Sequence, residues 1–139
     1  MSILMNLGPW AEQRAGQLLE QAGYAVLQMN YHSRYGEIDL IAQKDADLVF
    51  VEVKARASTR YARAAETVSI HKQRKMMKTA VIFLQKHPEL QSCYCRFDVI
   101  CFDFYQYFAK TIQYDFSKCT YDLQWIENAF TFDQEFINL

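Results

Sequence analysis

Asp39, Glu52 and Lys54 are the residues of this chain whose types and spacing suit a chemical task. Residues 37–43 (Glu-Ile-Asp-Leu-Ile-Ala-Gln) alternate, with Ile38, Leu40 and Ala42 on one face and Glu37, Asp39 and Ile41 on the other. Residues 48–56 alternate likewise, with Val49, Val51, Val53 and Ala55 on one face and Phe50, Glu52, Lys54 and Arg56 on the other. The polar link at residues 44–47 makes a hairpin in which Gln43 pairs with Leu48. Carried on, that register sets Asp39 opposite Glu52 and Glu37 opposite Lys54. Carboxylates so placed, with Cβ atoms about 4.5–5.5 Å apart, repel unless a cation lies between them. Mg²⁺ accepts one or two carboxylates, keeps several waters and binds phosphate oxygens. Lys54 then supplies an ammonium that orients an attacking water and offsets charge developing on a phosphate. The bland alternative is a solvated hairpin face with Glu37 and Lys54 as an ion pair. Ile41 and Phe50 argue against it, because apolar residues on that face imply a sheet covered on both sides, where charges need a reason.

The elements that must hold these residues follow from periodicity. Residues 9–22 predict an amphipathic helix, with Ala11, Ala15, Leu18, Leu19 and Ala22 on one stripe, Glu12 at its edge and Gly23 as the stop. Residues 24–31 read as extended, and residues 30–36 as a polar connection into the two strands above. Residues 57–65 form a basic loop. Ser69 caps a second helix to about Lys86, with Met76, Met77, Ala80, Val81 and Leu84 inward and Pro88 beyond its end. Residues 95–102 are a further strand, the aromatic tract 102–116 a strand or hairpin, and residues 125–130 a short terminal helix. The result is an α/β fold, a mixed sheet flanked by helices in an order near α-β-β-β-α-β plus C-terminal elements.

At 139 residues the chain fits one domain over its whole length. It has no apolar run long enough for a membrane span and no secretory leader, which predicts a soluble cytoplasmic protein. Cys93, Cys95, Cys101 and Cys119 lack zinc-ligand spacing and read as free or buried thiols. His32, His71 and His87 are dispersed and read as surface or loop residues. The net charge of −1 hides an uneven distribution: residues 54–78 carry eight basic side chains against the single Glu66. Residues 1–53 carry three basic and seven acidic, and residues 96–139 again three and seven. Such a basic stretch either tracks a phosphate backbone or is a solvated face. Arg56, on the active face, and Lys72, opening the basic helix, are the candidates for phosphate contact.

Asp39 followed by Glu52-Val53-Lys54 matches the PD-(D/E)xK nuclease signature. Gly8, Ala11-Glu12, Asn30, residues 36–42, residues 49–56, Lys72, residues 96–99 and residues 128–130 together resemble the bacterial YraN-like family, across about the whole chain. That family is similar to the archaeal Holliday-junction resolvases and belongs to the restriction-endonuclease-like superfamily. The resemblance implies a DNA endonuclease using Mg²⁺ or Mn²⁺, acting on branched or recombination-intermediate DNA, with a homodimer as one arrangement. It implies Asp39 and Glu52 as metal ligands with the Val53 carbonyl as a third, Lys54 as the catalytic lysine, and Glu12 as an outer or second-metal ligand. Glu12 also reads as an exposed first-turn acid that favours the helix dipole. Glu37 is a secondary candidate, and Asp98 reads as structural before functional. The family pattern has a glycine near Tyr61-Ala62 that this chain lacks. The rival class is a nucleic-acid-binding or adaptor protein that keeps the fold without turnover, and the intact Asp39, Glu52 and Lys54 argue against it. The aromatic residues Phe102, Phe104, Tyr105, Tyr107 and Phe108 are either core or a dimer interface.

Overall fold

The computed structural model describes residues 4–57, 68–106, 108 and 112–133. Small and apolar residues at helical spacing let the first helix, α1 (Leu7–Gln21), lie close on a sheet, burying Trp10, Ala11, Ala15, Gly16 and Leu19. Gly23 ends it at φ +95°, and the Tyr24 N–H turns back to the Leu19 carbonyl at 2.9 Å. Four further strands and helices follow the expected order: β1 (Ala25–Ser33), β2 (Gly36–Lys44), β3 (Asp47–Arg56), α2 (Ile70–Lys86). Next come a 3₁₀ turn (Pro88–Leu90), β4 (Tyr94–Phe104), a second 3₁₀ turn (Phe116–Lys118) and β5 (Tyr121–Phe130).

The strands form one mixed sheet in the order β1-β2-β3-β4-β5. Only β3 and β4 run parallel, and α2 lies in the connection that such a pair requires. Each helix covers one face. Under α1 lie Leu40, Ala42, Val49, Val51, Ile100, Phe102 and Phe104, and under α2 lie Ile41, Leu48, Phe50 and Phe97 against Met76, Met77, Ala80 and Phe83. Ser69 caps α2 as expected, accepting from the Lys72 N–H at 3.1 Å. Its inward face differs in part: Thr79 and Phe83 are buried where Val81 and Leu84 are half-buried, and Thr79 is tied to Ser33 Oγ at 2.7 Å.

Three expectations are corrected. Residues 30–33 are strand and not connection, because Tyr31, His32 and Ser33 pair with Ile38, Glu37 and Gly36, leaving a tight turn closed by the Ser33 hydroxyl. Ile38 does not share a face with Leu40 and Ala42. It packs with Ile41 on the α2 side, so β2 turns over at Asp39. Residues 125–130 are strand and not helix. The open edge of β4 offers a row of backbone partners that an isolated short helix lacks, and Trp125, Ile126 and Phe130 each find contacts on the sheet.

In the aromatic tract Phe102, Phe104 and Phe116 are core. Trp10 has the rings of Phe102, Phe104, Phe116 and Tyr121 around it at 5.3–5.9 Å. Phe108 packs on this cluster, Tyr105 is exposed, and Tyr107 lies outside the described residues.

Candidate functional site

The register read from the sequence holds from Lys44↔Asp47 to Leu40↔Val51. There the ladder between β2 and β3 stops. Asp39 Oδ2 accepts the Val53 N–H at 2.8 Å, so a carboxylate occupies the place of a backbone partner and lies in the gap between the strands. This is where β2 turns over. It also changes the neighbour of Glu37, whose carboxylate meets His32 Nδ1 at 3.3 Å on β1 and not Lys54 on β3. The expected Glu37–Lys54 pair is therefore replaced by a pair across the other edge of β2.

Glu52 follows on β3, facing α2, and is only 4 % exposed, while Asp39 is 8 % exposed. The Oε1 atom of Glu52 has two cations nearby, Lys72 Nζ at 3.4 Å and Lys54 Nζ at 3.9 Å. The Oε2 atom is buried with no hydrogen-bond donor. Burial, and then the charge of Asp39, push the Glu52 carboxyl up to about 7 against the pull of Lys72 and Lys54. Burial also raises Asp39, opposed by the Val53 N–H, by Lys72 and by a side-chain hydrogen bond with Glu52, and reinforced by the charge of Glu37. Two acids thus share one buried space that favours losing a charge or gaining a cation.

The other candidates surround this pair. Glu12 lies in the second turn of α1, which starts earlier than expected, so it is not a first-turn acid. Burial raises its carboxyl, a hydrogen bond with Asn30 opposes this, and the charges of Asp39 and Glu37 add to it. Glu12 is therefore within electrostatic reach of the pair but is held by Asn30. Asn30 entered the sequence reading only as one of the residues of the family resemblance, with no role given to it. Its φ of +52° is one that asparagine adopts more readily than most residues, and that is the signal a sequence offers. Lys72, the candidate for phosphate contact, has its ammonium 3.4 Å from Glu52 Oε1. Arg56 ends β3 two positions beyond Lys54, half-buried. The loop expected to lack its glycine at residues 61–62, with Arg60 and Arg63, lies outside the described residues.

Among the described residues no three His, Cys, Asp or Glu side chains gather to hold a metal ion. Glu12 therefore does not join Asp39 and Glu52 in a three-carboxylate cluster. The donor set that remains fits a hard cation with few protein ligands: two carboxylates, one with a donorless buried oxygen, and a backbone carbonyl. A strand residue points its N–H and C=O toward the same neighbour, so the Val53 carbonyl faces the gap that its N–H faces. A cleft of about 340 Å³, lined by His32, Ser33, Gly36, Glu37, Lys72 and Lys75, shares Lys72 with the pair.

Two nearby groups stand outside this chemistry. Asp98 is fully buried and saturated with donors: Arg96 Nε at 3.0 Å, Arg96 Nη2 at 3.2 Å, Trp125 Nε1 at 2.9 Å and the Asn128 N–H at 2.9 Å. It ties β4 to β5 and, through Arg96 and the Tyr24 hydroxyl at 2.7 Å, to the start of β1. Cys101 sits opposite Lys54, and burial pushes its thiol up to about 11, so it stays protonated and unreactive. All four cysteines are free.

These features define an α/β protein whose mixed five-stranded sheet parts between β2 and β3 around a buried acidic pair and two lysines. The chain belongs to the uncharacterised protein family UPF0102, whose family model matches residues 11–102 and so spans Glu12, Asp39, Glu52, Lys54 and Lys72. It is 57 % identical over 133 residues to a UPF0102 protein of Acinetobacter baumannii (strain AYE), covering 96 % of this chain and 100 % of that one. It is 56 % identical over 126 residues to a UPF0102 protein of Acinetobacter baylyi, covering 91 % and 90 %. A UPF0102 protein of Alcanivorax borkumensis is 38 % identical over 125 residues, covering 90 % and 91 %. Among the described residues no helix is long and apolar enough to cross a membrane.

Proposed function

We propose that this chain is a divalent-metal-dependent endonuclease of restriction-endonuclease-like fold that hydrolyses phosphodiester bonds in DNA. The observation that carries this is the Glu52 carboxylate, buried beside Asp39 with one oxygen lacking any donor. Stability alone does not favour that arrangement, since burying ionised groups, even beside Lys54 and Lys72, costs free energy that apolar side chains would not. A site that receives a cation and an anionic substrate accounts for it.

In this reading Asp39, Glu52 and the Val53 carbonyl would hold Mg²⁺ or Mn²⁺, and the Val53 N–H fixes the Asp39 carboxylate through Oδ2. When bound, the ion supplies Lewis-acid charge to the phosphodiester and acidifies water. Lys54, on the same strand face as Glu52, orients the attacking water and offsets charge gathering on the phosphate. Glu12, steadied by Asn30 at the rim, takes a water of the outer shell. Arg56, past Lys54, contacts the phosphate backbone. Branched DNA is the preferred substrate on the resemblance to junction resolvases.

The test is a panel of labelled four-way junction, flap, single-stranded and linear duplex DNA, incubated with Mg²⁺ or Mn²⁺. Metal-dependent cleavage of at least one member is the expected result. A panel that is bound and never cut with either metal overturns the reading in favour of a binding module.

A further inference from the structure

The acidic pair has more positive charge around it than one metal ion and one catalytic lysine require. Lys54 belongs to the strand that carries Glu52, but Lys72 comes from the first turn of α2, and its ammonium is the nearer of the two to Glu52 Oε1, at 3.4 Å against 3.9 Å. It also bears on Asp39, whose ionised form it favours. Without metal, two ammonium groups therefore balance two carboxylates.

A divalent ion changes that balance. A small hard cation binds a carboxylate oxygen at about 2.1 Å, so an ion on Glu52 Oε1 would lie within about 5.5 Å of an unmoved Lys72 Nζ. Like charges that close in a partly buried site repel strongly. Lys72 has room to leave, because the same side chain lines the 340 Å³ cleft with Lys75. Its anchor does not move with it: the Lys72 N–H is fixed by the Ser69 cap, so only the flexible four-carbon stem has to swing.

We infer that Lys72 is the built-in counter-ion of the Asp39–Glu52 pair and gives up that place when a divalent cation enters, its ammonium turning into the neighbouring cleft. The inference rests on the metal centre proposed above. It makes Lys72 a positioning residue that competes with the metal.

The measurement is calorimetric titration of the full chain, without nucleic acid, with Mn²⁺ at pH 8. The Lys72→Gln variant is expected to bind Mn²⁺ on the order of tenfold more tightly than the wild type. Lys75→Gln, which removes a charge from the same cleft but none from Glu52, is expected to gain much less than Lys72→Gln. In a Glu52→Gln background, Lys72→Gln gains nothing. Equal or weaker Mn²⁺ binding by Lys72→Gln overturns the inference and leaves the metal centre standing. An equal gain in Lys75→Gln overturns it too, by showing a general field effect. A wild type that takes up no Mn²⁺ overturns both this inference and the metal centre.

Discussion

Glu52 concentrates the chemistry of the site at the residue scale, and its titration gives that chemistry a measurable sign. The folded chain holds its proton to about pH 7, against an ordinary value of 4.5 in the unfolded chain. Between those values the folded state binds the extra proton, so the stability that Glu52 contributes in metal-free protein is fully present below about pH 4.5 and is lost as pH rises through about 7. Asp39, also raised, adds to the same trend. Thermal melts in metal-free buffer from pH 5 to 8 are expected to show wild type losing ground to Glu52→Gln as pH rises. A constant gap between the two across that range contradicts the burial argument. At this scale the sequence was most informative where two adjacent strands obey strict alternation: Asp39, Glu52 and Lys54 follow from spacing alone. It was silent where a side chain leaves the strand's pattern. Asp39 reaches into the sheet plane to Val53, which turns Glu37 toward His32 and cancels the pair expected with Lys54. Lys72 was legible as a cation but not as the partner of Glu52, because no local rule links a helix's first turn to a strand residue twenty positions earlier.

Among the elements, β5 and the network behind it were the least legible. Residues 125–130 mix Trp, Ile, Glu, Asn, Ala and Phe in an order that suits a helix turn as well as a strand. What decides for strand is tertiary: the free edge of β4, and Asp98, which accepts from the Trp125 indole and from the Asn128 N–H at a bulge where Asn128 has φ +53°. Asp98→Ala leaves the indole and that N–H without their acceptor and takes from Arg96 its buried carboxylate, leaving it the Tyr24 hydroxyl. It is expected to lower unfolding free energy by about 3–5 kcal/mol, measured by denaturant titration. Mn²⁺ affinity of the folded fraction is expected to stay at the wild-type level, since Asp98 touches no residue of the acidic pair. By contrast, α1, α2 and the β2–β3 hairpin were readable within a few residues, each having a period, a cap or a turn of its own.

At the scale of the whole molecule, two helices on opposite faces bring Glu12 and Lys72 to one point of the sheet, and the position of α1 depends on how Trp10 seats among the rings of β4 and its neighbours. Trp10→Ala is expected to cost about 3–5 kcal/mol of stability in chemical denaturation. A loss under about 1 kcal/mol would show that this cluster does not fix the helix. Of the aromatic residues open to reading as core or interface, Phe102, Phe104 and Phe108 pack in that cluster and Tyr105 is exposed. Of the basic residues in 54–78, Lys54 and Lys72 stand at the acidic pair and Lys75 lines the adjoining cleft. The most direct test of the account is metal-dependent cleavage of the DNA panel by wild type beside Asp39→Ala and Lys54→Ala. The account predicts that each substitution lowers the single-turnover rate on the order of 10²-fold or more, with the variants still folded. Wild-type rates in both variants, or no cleavage by wild type with either metal, would contradict it.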